Sequence, residues 1–232
     1  MSTQKVADAL ADAAVAPITS GMIVGLGTGS TARRGIRALA ERVREEGLKI
    51  KCVPTSDSSE AFGREQGLPM LEFALVEELD YLFDGADEVD PQLRIMKGSG
   101  GAMTRERIVA WAAKKVVYMI AAEKLVEHLG SRTTLAIAVI PFGLASIRAH
   151  LRDLGLNGVC RRDLKGQLFL TDNGNLIVDV ALGPEHDAEE IAEALNAHPG
   201  VVDHGLFLYE ADEVLVDRGS GNVERLVRKR DE

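Results

Sequence analysis

Short runs of apolar, largely β-branched residues recur along this chain between stretches of helical pattern, and that alternation restricts its fold more than any other feature. The runs fall at 22–26, 50–53, 81–83 and 116–120. Apolar residues at helical spacing between them predict helices over about 4–16, 30–46, 57–66 and 103–113. Strand alternating with helix predicts an α/β fold with a Rossmann-like, mostly parallel sheet flanked by helices. Gly47 and Gly67 stand where helices should stop, because glycine readily takes the left-handed conformation that closes a helix. With 232 residues, 46% of them hydrophobic, the chain can bury a core of that size.

After Ser131 the texture changes. Strands are predicted over 135–140, 176–182 and 201–207, with helices over 143–154 and 188–197. The turn Thr171-Asp172-Asn173-Gly174-Asn175 adds a hairpin signal through its Asn-Gly pair. The resulting β-α-β-β-α-β order predicts a second, smaller α+β domain of the ferredoxin-like, split βαβ kind. Two domains are therefore expected: a Rossmann-like catalytic domain of residues 1–131 and 208–232, and a small α+β domain of residues 132–207. Residues 213–216 are expected to rejoin the first sheet as a strand, followed by a short helix.

Three loops carry residues suited to chemistry. Gly25-Leu26-Gly27-Thr28-Gly29-Ser30-Thr31-Ala32 lies where a buried strand gives way to a helix. Its glycines allow a tight turn, its hydroxyls are donors, and the helix start offers unpaired N–H groups, which together make a phosphate cradle. Gly27, Gly29 and Ala32 also match a dinucleotide fingerprint, but no ribose-binding acid follows the second strand, which ends Cys52-Val53-Pro54-Thr55-Ser56. A purely structural turn is the third reading.

Asp84-Gly85-Ala86-Asp87-Glu88-Val89-Asp90 comes directly after a strand, at the carboxyl edge where open α/β sheets bind ligands. Its alternative is a solvated acidic turn; the spacing is not that of a calcium loop and no histidine is near, so no metal is expected. Lys97-Gly98-Ser99-Gly100-Gly101 follows the predicted strand 93–96 and joins one cation to several backbone donors, a combination that can stabilise an oxyanion. The next helix carries Glu106, whose neighbours at three and four residues are Ala102, Met103, Val109 and Ala110. Lacking an ion pair on its own face, its carboxylate is expected to be partly desolvated and suited to general-base work, a surface glutamate being the alternative.

Charge and composition narrow the classes of partner. A net charge of −9 with scattered acids opposes a nucleic-acid surface. No stretch approaches the roughly 20 apolar residues of a membrane span, and the start MSTQKVADAL lacks a basic region followed by an apolar one, so a cytoplasmic location is expected. Cys52 and Cys160 are in no redox or zinc spacing and are expected to be packing residues. The run Arg228, Lys229, Arg230 reads as a solvated tail.

The three loops fit one reaction together. Converting an aldose phosphate to a ketose phosphate needs a base to carry a proton between two carbons, a cation or donors for the enediolate oxygen, and an anion hook for the distant phosphate. Glu106, Lys97 and the loop 28–31 meet those needs, and no cofactor is called for. Asp84 and Asp87 are then expected on sugar hydroxyls and the ring oxygen, with Lys97 offsetting their charge.

Taken in order, GLGTGSTA, SDSSE, DGADEVD, KGSGGAMTRERI, AAEK and TDNGN resemble type A ribose-5-phosphate isomerases over nearly the whole chain. The resemblance implies cofactor-free interconversion of ribose 5-phosphate and ribulose 5-phosphate in the non-oxidative pentose phosphate pathway, by a homodimer or homotetramer. It further implies Glu106 as the proton-shuttling base, Asp84 and Asp87 (with Gly85 and Ala86 between them) at the sugar, and Lys97 with Gly98, Ser99 and Gly100 at the oxyanion. Thr28, Gly29, Ser30 and Thr31 would bind substrate, Lys124 would close over the phosphate, and Lys5 matches an N-terminal lysine near it. KGSGGAM departs from the more usual KGGGAAL, which leaves the donors at Ser99 and Gly100 open, and Arg33 and Arg34 are either helix residues or added positive potential. Two rivals are an amino-sugar phosphate deaminase, expected to use a histidine that none of the three loops contains, and a non-catalytic sugar-phosphate sensor, expected to carry a DNA-binding helix. The five histidines are expected on the surface or at caps.

Overall fold

The computed structural model describes residues 8–229, so Lys5 and Arg230 lie outside the described residues. In chain order the elements are helix α1 (Ala9–Val15), strand β1 (Ile23–Leu26), helix α2 (Ser30–Glu46), strand β2 (Lys51–Pro54) and helix α3 (Asp57–Glu65). Strands β3 (Tyr81–Gly85), β4 (Glu88–Val89) and β5 (Ile95–Met96) follow, then helix α4 (Met103–Ala112) and strand β6 (Val116–Ala121). Next come β7 (Leu135–Val139), α5 (Leu144–Asp153), β8 (Gly158–Cys160), β9 (Leu176–Val180) and α6 (Ala188–Ala197). Strands β10 (Val201–His204), β11 (Leu206–Phe207), β12 (Glu213–Asp217) and β13 (Val223–Val227) close the series. The chain divides into two compact units, one drawn from residues up to Gly85, Val109–Glu123 and residues from Ala211 onward, the other Ala86–Ile108 with Lys124–Glu210.

The first unit holds a six-stranded sheet in the order β13-β12-β6-β3-β1-β2, parallel throughout except for its β13 edge. Strand β3 is buried along its whole length, as expected for a strand covered on both faces. Ile36 and Leu39 of α2 join Val24, Leu26, Phe83 and Met119 of the sheet in one apolar core. Burial of each such side chain stabilises the fold by about 1.5–3 kcal/mol. Helix α2 ends at Gly47, whose φ of 69° is the left-handed closure anticipated there. Helix α3 starts in a capping box between Ser56 and Ser59. Arg34 is committed to Asp8, the cap of α1, at 2.7 Å and to Asp217 at 3.5 Å, while Arg33 stacks 3.8 Å from the ring centroid of Phe62. Cys52 is buried and its thiol is pushed up to about 12 by desolvation, consistent with packing alone.

The second unit contains a four-stranded antiparallel sheet, β10-β7-β9-β8, backed by α5 and α6, and a three-stranded one, β11-β5-β4. Within the β-α-β-β-α-β motif the spatial strand order is fourth, first, third, second, the ferredoxin-like arrangement. The turn at Asn173-Gly174 closes on a single bridge, Leu170 to Leu176, rather than on a full hairpin, and a second bridge, Arg162 to Leu168, closes a separate turn over residues 163–167. Residues 201–207 are not one strand. They break at Gly205, whose N–H donates to Ala136 while its carbonyl accepts the Lys97 N–H, and a Cβ there would lie 2.1 Å from the Lys97 carbonyl oxygen. The predicted strand 93–96 shortens because Leu93 has φ 57°, in a turn held by the Asp90 carboxylate, which accepts N–H groups from Gln92 and Arg94. Fully buried Glu88 performs a similar task at longer range, accepting N–H groups from Gly130 (2.6 Å), Arg132 (2.6 Å) and Thr133 (2.7 Å).

The short helix expected after residue 216 is replaced by strand β13. Its charged residues reach across to β12, with Arg225 2.6 Å from Glu213, a cross-strand pairing that local helical spacing does not register.

Candidate active site

In the first unit, residues 27–29 turn the chain from β1 into α2, with Gly29 at φ 97°. Gly27 is a glycine for a steric reason: a Cβ would lie 2.2 Å from Oδ1 of Asp84 and 2.5 Å from its Cα. The close approach lets Thr28 N–H donate to Asp84 Oδ1 at 3.0 Å, and Gly85 N–H donates to the same oxygen at 2.7 Å. Asp84 is fully buried near the end of β3, beside β1, where the strand order reverses and α/β sheets leave a crevice.

The Thr28 hydroxyl also points inward. Its Oγ1 lies 2.7 Å from Ser56 Oγ and 2.8 Å from Thr55 Oγ1, and Thr55 directs its own proton to the Leu26 carbonyl at 3.0 Å. Exposed Gly29 and Ser30 and half-buried Thr31 are left to face outward at the start of α2. Unpaired N–H groups and the positive end of a 17-residue helix suit that turn to an anion.

In the second unit, Lys97 follows β5 and Glu106 lies in the first turn of α4. Lys97 Nζ is 3.2 Å from Glu106 Oε1, with the two side chains 3% and 6% exposed. Glu106 thus finds its cation not on its own helix face but at the preceding strand end. Two charges removed from water this far are stable only in close contact. Half-buried Asp87 accepts the Ser99 N–H on Oδ2 at 3.0 Å, and its own N–H donates to the Met96 carbonyl at 2.8 Å. Ala86 is half-buried, Gly98 buried, and Ser99 and Gly100 exposed. Lys124 is half-buried at the end of the 3-10 turn Ala122–Lys124.

Two arginines tie distant parts of the second unit together, Arg107 next to Glu106 on α4 and Arg161 beside the loop after Lys97. Arg107 donates to Asp203 at 2.8 Å, to Glu210, and to the carbonyls of His204 (2.7 Å) and Leu206 (3.0 Å), over the Phe207 ring at 4.0 Å. Arg161 donates from Nη1 to the carbonyls of Gly98 (2.7 Å) and Ser99 (3.1 Å), while its Nε and Nη2 pair with the Asp179 carboxylate, Nε at 2.8 Å. The carbonyls they hold lie 62 to 99 residues away, so local spacing does not reveal these contacts.

The histidines divide between caps and interior. His186 accepts the Gly183 N–H at 2.9 Å, and His150 and His198 stack at 4.2 Å. His204, however, is buried, its Nδ1 accepting the Leu206 N–H at 3.2 Å; desolvation first, and then the Arg107 charge, push its imidazole down to about 3. Unfolded, it would take up a proton near 6.5, so below that pH the unfolded chain binds the extra proton. The stability contributed is therefore complete above the unfolded value and drains as pH falls toward about 3, at no more than about 1.4 kcal/mol per pH unit. Asp203, raised mainly by burial, acts in the opposite sense. His204→Asn keeps an acceptor for Leu206, and urea unfolding should show it losing less stability than the parent between about pH 7 and about pH 5. Parallel losses would clear the imidazole of this role.

Among the described residues, no three of His, Cys, Asp and Glu are grouped as a metal ion would require, and no helix is long and apolar enough to cross a membrane.

The family described as Ribose 5-phosphate isomerase A (phosphoriboisomerase A) matches residues 51–221. The chain belongs to the ribose 5-phosphate isomerase A family. Ribose-5-phosphate isomerase A of Roseiflexus sp. is 45% identical over 215 residues, 92% of each chain, and that of Gluconobacter oxydans 46% over 206 residues, 88% of this chain and 89% of its relative. Ribose 5-phosphate isomerase A from Methanocaldococcus jannaschii superposes with a TM-score of 0.89 at 36% identity, covering 94% of this chain and 96% of that one. A D-ribose-5-phosphate isomerase in complex with phospho-erythronic acid gives a TM-score of 0.90 at 33% identity, covering 95% and 96%. The parallel sheet and the smaller antiparallel sheets are thus the ribose 5-phosphate isomerase A fold.

Proposed function

We propose that this protein interconverts D-ribose 5-phosphate and D-ribulose 5-phosphate through an enediolate, with Glu106 as the base. The buried Lys97–Glu106 pair carries the reading, because it sets a carboxylate beside a cation where water is excluded. Glu106 takes the proton from C2, charge develops on O1 near Lys97, and the same carboxylate returns the proton to C1. The hydroxyl proton of C2 passes to O1, so nothing is consumed and no cofactor is needed. Gly98, Ser99 and Gly100 supply backbone around the oxyanion. Asp87 and Asp84, with Gly85 and Ala86, contact sugar hydroxyls and the ring oxygen; Asp84 is the more restricted, since its Oδ1 holds Thr28 and Gly85.

Gly29, Ser30 and Thr31 take the phosphate, Thr28 shapes that loop, and Lys124 closes on the anion. Phospho-erythronic acid, the ligand of one similar structure, supports this division. A phosphorylated four-carbon sugar acid joins a planar anionic carboxylate to a phosphate, the outline of a shortened enediolate. Lys124→Ala should raise KM for ribose 5-phosphate well above its effect on kcat, measured by steady-state kinetics; an unchanged KM would move the phosphate contact elsewhere.

The deciding assay mixes the purified protein with ribose 5-phosphate and excess chelator and follows ketose formation. Ketose must accumulate; its absence would end the proposal. We also assign a cytoplasmic homo-oligomer, dimer or tetramer, for which exposed Phe142, Val159, Leu164 and Leu170 on the second unit supply apolar surface.

A further inference from the structure

We infer that Arg161 is a positioning residue for the isomerisation, turning the 98–100 loop so that the Gly100 N–H joins Lys97 in stabilising the enediolate oxygen; the inference rests on the function proposed above. In a trans peptide the C=O of one residue and the N–H of the next point in opposite directions. Arg161 Nη1 draws the carbonyls of Gly98 and Ser99 to one side, at 2.7 and 3.1 Å. Successive carbonyls of an extended chain alternate, so drawing both the same way needs a turn, and residues 98–101 make one, closed by the Gly101 N–H donating to the Gly98 carbonyl at 3.0 Å. The N–H groups of Ser99 and Gly100 are thereby both directed away from Arg161. Ser99 marks that direction, because its N–H meets Asp87 Oδ2 at 3.0 Å. The N–H of exposed Gly100 is aimed to the same side, so the two amides form a small backbone concavity for negative charge.

Arginine is the residue type this task requires. The guanidinium grips the Asp179 carboxylate through two nitrogens and still has Nη1 for two carbonyls. Its backbone N–H is fixed at 2.8 Å on the carbonyl of Ile177 in β9, the strand that also carries Asp179. Phe169 lies 5.8 Å beneath the guanidinium, and the two ionic side chains are only 15% and 21% exposed, so the grip is shielded from competing water. Lysine could hold the carboxylate or a carbonyl but not this set.

Removing an oxyanion donor outright lowers kcat by about 10²- to 10³-fold, and a misdirected one should lower it by about 10- to 100-fold. Arg161→Gln is therefore expected to reduce kcat for ribose 5-phosphate by that factor, with KM changed less than about threefold. Inhibition by phospho-erythronic acid should weaken in step with kcat, since on this reading its planar carboxylate stands in for the enediolate, while inhibition by inorganic phosphate should not change. Arg161→Lys should recover part of the loss. A purely structural arginine would lower the unfolding midpoint and leave kcat of the folded protein untouched, which overturns the inference, as would equal weakening of both inhibitors. Should Arg161→Gln not fold, Asp179→Asn keeps the guanidinium but loosens it, and an unchanged kcat there is equally decisive. If the parent protein makes no ketose, the proposed function fails and takes this inference with it; an active parent with an unaffected variant sinks the inference alone.

Discussion

Glu106→Gln is expected to lower kcat for ribose 5-phosphate by about 10²- to 10⁴-fold while KM stays close to that of the parent. Glutamine has the same shape, and its side-chain oxygen can still accept from Lys97 Nζ, 3.2 Å away in the parent. What disappears is the ability to take a proton from carbon and give it back. Substrate contacts elsewhere are untouched, so the loss should fall on turnover. Exchange of solvent deuterium into the sugar, followed by NMR, should vanish with it. Near-normal turnover in this variant would remove Glu106 from the role of base and leave the buried pair without a catalytic explanation.

Lys97→Met should produce the largest combined effect on rate and stability. The cation that would face the developing oxyanion is gone, which lowers kcat by about 10²- to 10³-fold. The Glu106 carboxylate also loses a counter-charge in a place 5% exposed, and breaking a buried pair from one side commonly destabilises a fold by about 3–5 kcal/mol. Replacing both members should recover much of that stability, because a buried pair exchanged for neutral groups can be nearly neutral. Urea unfolding of Lys97→Met, Glu106→Gln and the double variant forms the cycle. A double variant no more stable than Lys97→Met would show that the two side chains do not act as a unit, and kcat should remain low in all three.

Local pattern was enough to read long, buried elements. Helix α2 occupies residues 30–46 as its periodicity predicts, and the uninterrupted apolar run at β3 and the strand-helix alternation led to the parallel sheet. Pairing information was harder to find. Val223-Glu-Arg-Leu-Val227 is too short and too charged to distinguish strand from helix, and only its contacts with β12 decide the matter. The same limit applies at the candidate site. Side-chain types and loop positions singled out Lys97 and Glu106, but helix-face reasoning considers only neighbours three and four residues away and so missed that they face each other. Thr28 was read as a ligand donor from its hydroxyl; neighbouring strand ends, which bring Asp84, Thr55 and Ser56 around it, turn its N–H and its hydroxyl inward. The partners of Arg161 and Arg107 could not be read, because contacts 18 to 103 residues apart leave no periodic trace.

Glu88 has a consequence for how this sequence can change over time. Its carboxylate recognises peptide N–H groups, which every residue except proline possesses, so these three bonds do not depend on side-chain identity at 132 and 133. The contact itself is therefore compatible with mutational drift at those two positions. Position 88 has no such latitude, for one shortened acid there would release three backbone amides at once.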